Sequence, residues 1–200
     1  AGVGGIVTLV GEAGIGKSRL VAELRKRGAT QGGAGSARRL GAASQRGWWE
    51  GRCLSYGTSI PYLPWIDVLR SALGVKIGQS AETVAAKLAS WVAGLCPEAV
   101  DELHPYLATL LSLPLQQKHN DKLDQLDGQQ LRERTFAASH RVLRLSTGQE
   151  PLVLVLEDLH WADSTSLALL EHVLPLIDRS PLLVVGILRP HKEHGFWLLP

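Results

Sequence analysis

Residues 11–18 read Gly-Glu-Ala-Gly-Ile-Gly-Lys-Ser, a complete match to G-x-x-x-x-G-K-[ST], and their flanks restrict what the chain can fold into. The apolar run Gly5-Ile6-Val7-Thr8-Leu9-Val10 precedes the loop, and Lys17–Arg27, with helical spacing, follows it. A buried strand, a glycine turn and a helix start, in that order, aim backbone N–H groups and the positive end of a helix dipole at one point. Gly11, Gly14 and Gly16 let the backbone curl there. Lys17 reaches toward β/γ-phosphates, and the Ser18 hydroxyl suits Mg²⁺. The predicted nucleotide-binding set is therefore Gly11, Glu12, Ala13, Gly14, Ile15, Gly16, Lys17, Ser18 and the adjoining Arg19. The expectation is a chain that binds a nucleoside triphosphate.

With 200 residues and 45% hydrophobic content, there is material for one α/β domain and a small helical insert. A net charge of +2 produces no field that calls for nucleic acid or a membrane as partner. Cys53 and Cys96 form no C-x-x-C and read as buried thiols of a reducing compartment, although their number allows one disulfide. No apolar run approaches a membrane span and no signal-peptide layout opens the chain, so a cytoplasmic location is expected. Met is absent and the chain starts almost inside its first strand, which reads as an internal piece of a longer protein.

Lys17–Arg27 places Leu20, Val21 and Leu24 on one helix face, pairs Glu23 with Arg27 at i,i+4, and has Gly28 as its stop. Residues 28–47 hold six Gly and five Ala without periodicity and read as a loop, long for its place. Trp48–Ser55 is the second strand candidate. A helix follows from Pro64 to near Gly74, and Ser80 caps the next, with Val84, Leu88, Trp91, Val92 and Leu95 at helical spacing. A third, Glu98–Leu113, is interrupted by Pro105. Gln116–Gly128 reads as a polar linker, and Gln129–Ser146 as a fourth helix with Gly148 beyond its end. Leu152–Leu156 and Leu182–Leu188 are continuous apolar runs, as in parallel strands buried on both faces. Between them Asp163 caps a helix running from Ser164 to about Arg179. The fold class read from this alternation is α/β: a parallel P-loop NTPase sheet flanked by helices, with a helical insertion at residues 58–128 between the second and third strands.

A triphosphate site needs acids for Mg²⁺ and for the attacking water. Glu157-Asp158 lies directly after a buried strand, where parallel sheets bind ligands. Glu157 is assigned to the hydrated metal and Asp158 to orienting or deprotonating water. Without the phosphate loop, both would read as solvated loop acids. Arg189 occupies the same end of the next strand, either as a γ-phosphate contact or as a surface arginine. The single Asn, Asn120, is followed by Asp121 and Lys122, so the guanine-reading Asn-Lys-x-Asp element is absent and ATP is favoured over GTP. The seven His do not cluster with metal-ligand spacing, and no G-x-S-x-G occurs.

The set Gly-Glu-Ala-Gly-Ile-Gly-Lys-Ser-Arg-Leu (11–20), Leu-Glu-Asp-Leu-His-Trp-Ala-Asp (156–163) and Leu-Arg-Pro (188–190) resembles the AAA-type ATPase modules of STAND proteins. These are signal-transduction ATPases of large LuxR-type regulators and of proteins carrying class III adenylate/guanylate cyclase domains. Glu50–Gly57 with Ile60-Pro61-Tyr62, and Arg189–Gly195, look most like the cyclase-associated branch. The resemblance spans nearly the whole of residues 1–200. It makes Gly11–Ser18 Walker A, Glu157-Asp158 Walker B and Arg189 a sensor arginine. It implies Lys17, Asp158 and Arg189 as catalytic residues, Ser18 and Glu157 as metal ligands, and ATP with Mg²⁺ as cofactors. Many relatives have Asp-Asp where Glu157-Asp158 stands, residues 28–47 look longer than usual, and a fifth strand and a lid are missing. The absent strand would leave the edge of Gly5–Val10 unpaired. The implied role is a slow, regulatory ATPase switch whose partners are attached effector and sensor domains, with nucleotide-dependent self-association and no direct nucleic-acid binding. A P-loop kinase acting on a small acceptor and a DNA-associated AAA ATPase are the alternatives.

Overall fold

The computed structural model describes residues 3–30, 47–56 and 60–190. Residues 31–46, most of the Gly/Ala-rich loop, lie outside that range, as do His191 to Gly195 of the last motif. The described residues form two compact units, one of residues 1–72 with 147–200 and one of residues 73–146.

The first unit is built on a parallel sheet of strands β1 (Gly5–Val10), β2 (Trp48–Arg52), β3 (Leu152–Glu157) and β4 (Leu182–Leu188) in the order β1-β4-β3-β2. The fold is the expected α/β sheet with flanking helices. β3 and β4 sit at its centre, which explains their unbroken apolar sequences: Leu154, Val155 and Leu156 are almost wholly buried, as are Leu182 and Leu188. Helix α1 (Lys17–Thr30) covers one face, where Val21 packs with Val153, Val155, Val185 and Ile187. Helix α2 (Leu63–Ala72) lies against β2, and the indole N–H of its Trp65 donates to the Ser166 carbonyl of α7 (Ser164–Val173) at 3.0 Å.

β1 departs from its reading as a buried strand. It is an edge of the sheet among the described residues, and Ile6, Val7 and Val10 are exposed by 43–45%. On α1 only Val21 of the expected apolar face is buried, while Leu20 and Leu24 are exposed, and Glu23 accepts from Lys26 at 3.0 Å. Gly28 does not end α1, which continues to Thr30. Residues 174–178 form a 3-10 turn instead of extending α7, since Pro175 has no N–H to continue the ladder.

The second unit carries α3 (Ala81–Leu95), α4 (Val100–Leu110), α5 (Gln117–Asp124) and most of α6 (Gly128–Gln149). Ser80 caps α3 as expected, its Oγ accepting from the Thr83 N–H at 3.3 Å. Pro105 does not break α4: it forfeits one bond near the first turn, and burial of Leu103, Tyr106 and Leu107 holds the helix together. The polar stretch read as a linker contains α5. Its His119 is buried, and Lys118 and His119 both bond Asp101 of α4, at 3.0 and 3.1 Å. Tertiary contacts thus order a segment whose hydropathy has no helical pattern. Gly148 lies inside α6, because a single glycine costs a long helix only about 1 kcal/mol.

Candidate functional site

In a parallel sheet every strand delivers its carboxyl end to the same edge. Here Val10 stands opposite Leu188, Leu156 opposite Gly186, and Arg52 opposite Glu157. The phosphate loop leaves β1 at that edge, and the Gly11 N–H donates to the Leu188 carbonyl at 3.3 Å, tying the loop to the end of β4. Arg189 is the next residue of the chain and is partly buried.

Gly14 and Gly16 have φ of 79° and 99°, in the left-handed region where a Cβ is strained. Those two residues turn the chain, and the Leu20 N–H then donates to the Gly16 carbonyl at 2.9 Å, opening α1. The Lys17 ammonium folds back to the Gly11 and Glu12 carbonyls at 2.6 and 2.8 Å. A cation is thereby held against the loop, where phosphate oxygens would meet it. Glu12, Ala13, Ile15, Ser18 and Arg19 are exposed along the loop and the start of α1.

The Ser18 hydroxyl donates to Glu157 Oε2 at 3.3 Å, across 139 residues of sequence. The fold therefore joins the two sequence motifs directly. Asp158 takes a left-handed backbone (φ 55°, ψ 37°), and Leu159–Trp161 form a 3-10 turn. Asp163 then caps α7, its Oδ1 accepting from Thr165 and Ser166 N–H groups at 3.0 and 2.9 Å. The left-handed turn at Asp158 ends the alternation by which a continuing strand would send consecutive side chains to opposite faces.

Sequence reasoning missed Arg52. This last residue of β2 donates from Nε to Asp158 Oδ2 at 3.1 Å. Its sequence signals are its place at the carboxyl end of a strand and its membership of the Glu50–Gly57 stretch, neither of which assigns it a role. Beside it, Cys53 is buried, and burial followed by the charges of Asp163, Asp158 and Asp67 pushes its thiol up to about 12. Cys53 and Cys96 are both free thiols.

The donor set suits a hydrated magnesium ion. One hydroxyl and one carboxylate are hard oxygen ligands, and Mg²⁺ commonly takes few protein ligands beside phosphate oxygens and water. No described cluster of three or more His, Cys, Asp or Glu could hold a metal by itself, so bound phosphates and water would complete the shell. Among the described residues no helix is long and apolar enough to cross a membrane.

The chain is 31% identical over 191 residues to the uncharacterized protein R02095 of Rhizobium meliloti (strain 1021). The match takes in 95% of this chain but 17% of that relative, so the chain spans about a sixth of its length. No solved structure matches the chain. Residues 1–185 match the AAA ATPase domain family, and the chain belongs to that family.

Proposed function

We propose that this domain binds ATP with Mg²⁺ and hydrolyses it slowly, as a regulatory nucleotide switch within a larger signalling protein of the STAND type. The observation that carries the reading is the Ser18–Glu157 contact, which brings the hydroxyl of the phosphate loop to the acid after β3. In this reading residues 11–19 cradle the phosphates, Lys17 exchanges its two loop carbonyls for β/γ oxygens, and Ser18 with Glu157 holds the metal. Bound magnesium would neutralise charge on the phosphate oxygens. Asp158 orients the water and accepts its proton. As the water oxygen bonds to phosphorus, the bond to the β–γ bridging oxygen breaks and its electron pair leaves with ADP. Arg189 is assigned to the γ-phosphate from the end of β4.

A switch acts through the difference between its nucleotide states, so attached effector and sensor domains, cyclase-linked or transcriptional, would read the γ-phosphate. Residues 58–128 form the proposed helical insertion.

The test separates the two acids. Glu157→Gln should lower Mg²⁺-dependent ATP affinity. Asp158→Asn should leave binding nearly intact and slow hydrolysis by roughly 10²–10⁴-fold where general-base catalysis is fully used. Equal effects of the two substitutions on binding and turnover would refute the division of roles.

A further inference from the structure

Asp158 is an unusual place for a base to sit. Its left-handed backbone is one that a non-glycine residue adopts only under strain, and its side chain is 22% exposed. The one hydrogen bond to its carboxylate from a described side chain comes from Arg52, at Oδ2. Oδ1 accepts no hydrogen bond from any described residue.

Arg52 is held at the backbone, and its exposed side chain is bonded at Nε. It ends β2 opposite Glu157, and the next residue, Cys53, donates its N–H to the Glu157 carbonyl at 2.9 Å. Its side chain is 62% exposed. An ion pair so exposed adds little stability. What it supplies is direction. A carboxylate held at one oxygen presents the other along a defined line, as a catalytic base is oriented by a third group. The Ser18–Glu157 contact is formed in the same structure, so the Arg52–Asp158 pair belongs to the assembled arrangement of this edge.

We infer that Arg52 is a positioning residue for hydrolysis: by binding Oδ2 of Asp158 it turns Oδ1 toward the attacking water. The inference rests on the role proposed above for Asp158. Arg52 touches neither the phosphates nor the metal in this scheme and acts through Asp158 alone.

Steady-state ATP hydrolysis by the protein, measured for Arg52→Gln, Arg52→Lys, Asp158→Asn and the Arg52→Gln/Asp158→Asn double variant, tests it. Arg52→Gln should lower kcat by roughly two- to fivefold, the rate change equivalent to an exposed ion pair, with KM and ADP affinity unchanged. Arg52→Lys should restore part of the loss. In the Asp158→Asn background Arg52→Gln should change nothing further, because its target is already gone. An additive loss in the double variant, an unchanged kcat in Arg52→Gln, or a raised kcat would each overturn positioning. The last would mean that the pair restrains Asp158. An unchanged kcat in Asp158→Asn alone would overturn the role of Asp158 and this inference with it. A large Asp158→Asn loss beside an inert Arg52→Gln would overturn only the inference.

Discussion

Gly51→Ala is the substitution whose cost the structure specifies most closely. Gly51 lies in β2 directly beneath α2. A Cβ built there would stand 2.1 Å from the Pro64 carbonyl oxygen, 2.8 Å from Val68 Cγ2 and 3.0 Å from the Pro64 carbonyl carbon. The obstacle is helix backbone, so no rotamer change clears it. Restoring ordinary contact requires α2 and β2 to separate by more than about 1 Å, and a gap of that size forfeits up to roughly half of the dispersion energy across it. The side chains that lose contact are buried: Trp65, Val68 and Leu69 are 3%, 2% and 6% exposed. Overpacking costs about 1–3 kcal/mol, and a backbone obstacle puts this case at the upper end. The reduced freedom of an unfolded alanine returns about 0.4–1 kcal/mol. The net expectation is a loss of about 2 kcal/mol, or a Tm lower by roughly 4–8 °C for a chain of this size. Thermal and urea unfolding measure it, with Gly94→Ala in α3 as control. A Cβ at Gly94 meets nothing within 4 Å, so that variant should gain about 0.5–1 kcal/mol. Gly51→Ala matching or exceeding wild-type stability would refute the packing argument.

Lys17→Ala should weaken ATP binding by about ten- to 150-fold, the worth of one charge-assisted hydrogen bond, with folding little changed; calorimetric titration with ATP–Mg²⁺ measures it. Cys53 should resist iodoacetamide at pH 8 until the protein is unfolded, because its thiol is buried and pushed up to about 12 from 9.0. The fold prefers the protonated thiol, so this group costs nothing below about pH 9. Above that, stability should fall by about 1.4 kcal/mol per pH unit toward pH 12, a slope that denaturation of Cys53→Ala at alkaline pH should lack.

The phosphate loop and the acid pair were legible because each is a short local pattern tied to the end of a strand. The central strands were legible for a similar reason: burial on both faces removes polar residues from the sequence itself. What the sequence hid is non-local. Arg52 looks like any arginine closing a strand, and only the pairing of β2 with β3 brings it to Asp158. The helix at Gln117–Asp124 was hidden because its partner, Asp101, lies on another helix. The continuation of α4 through Pro105 depended on burial, which outweighed a local breaker. Exposure of β1 was partly anticipated from its unpaired edge, but its apolar composition alone reads as a buried strand.

The strand order also bears on how the domain is made. β1 and the phosphate loop are synthesised before the other described strands, yet among the described residues β1 has one sheet neighbour, β4, whose register with it joins Gly5 to Leu183 and Val10 to Leu188. During translation the loop therefore emerges long before the strand that anchors it. β4 must then enter between β1 and β3, closing the longest chain loop in the sheet. Such long-range parallel pairing is slow, and it leaves an apolar strand exposed in the meantime. The nascent chain would be open to mispairing until residues 182–188 have left the ribosome, and nucleotide could stabilise the domain only after that point.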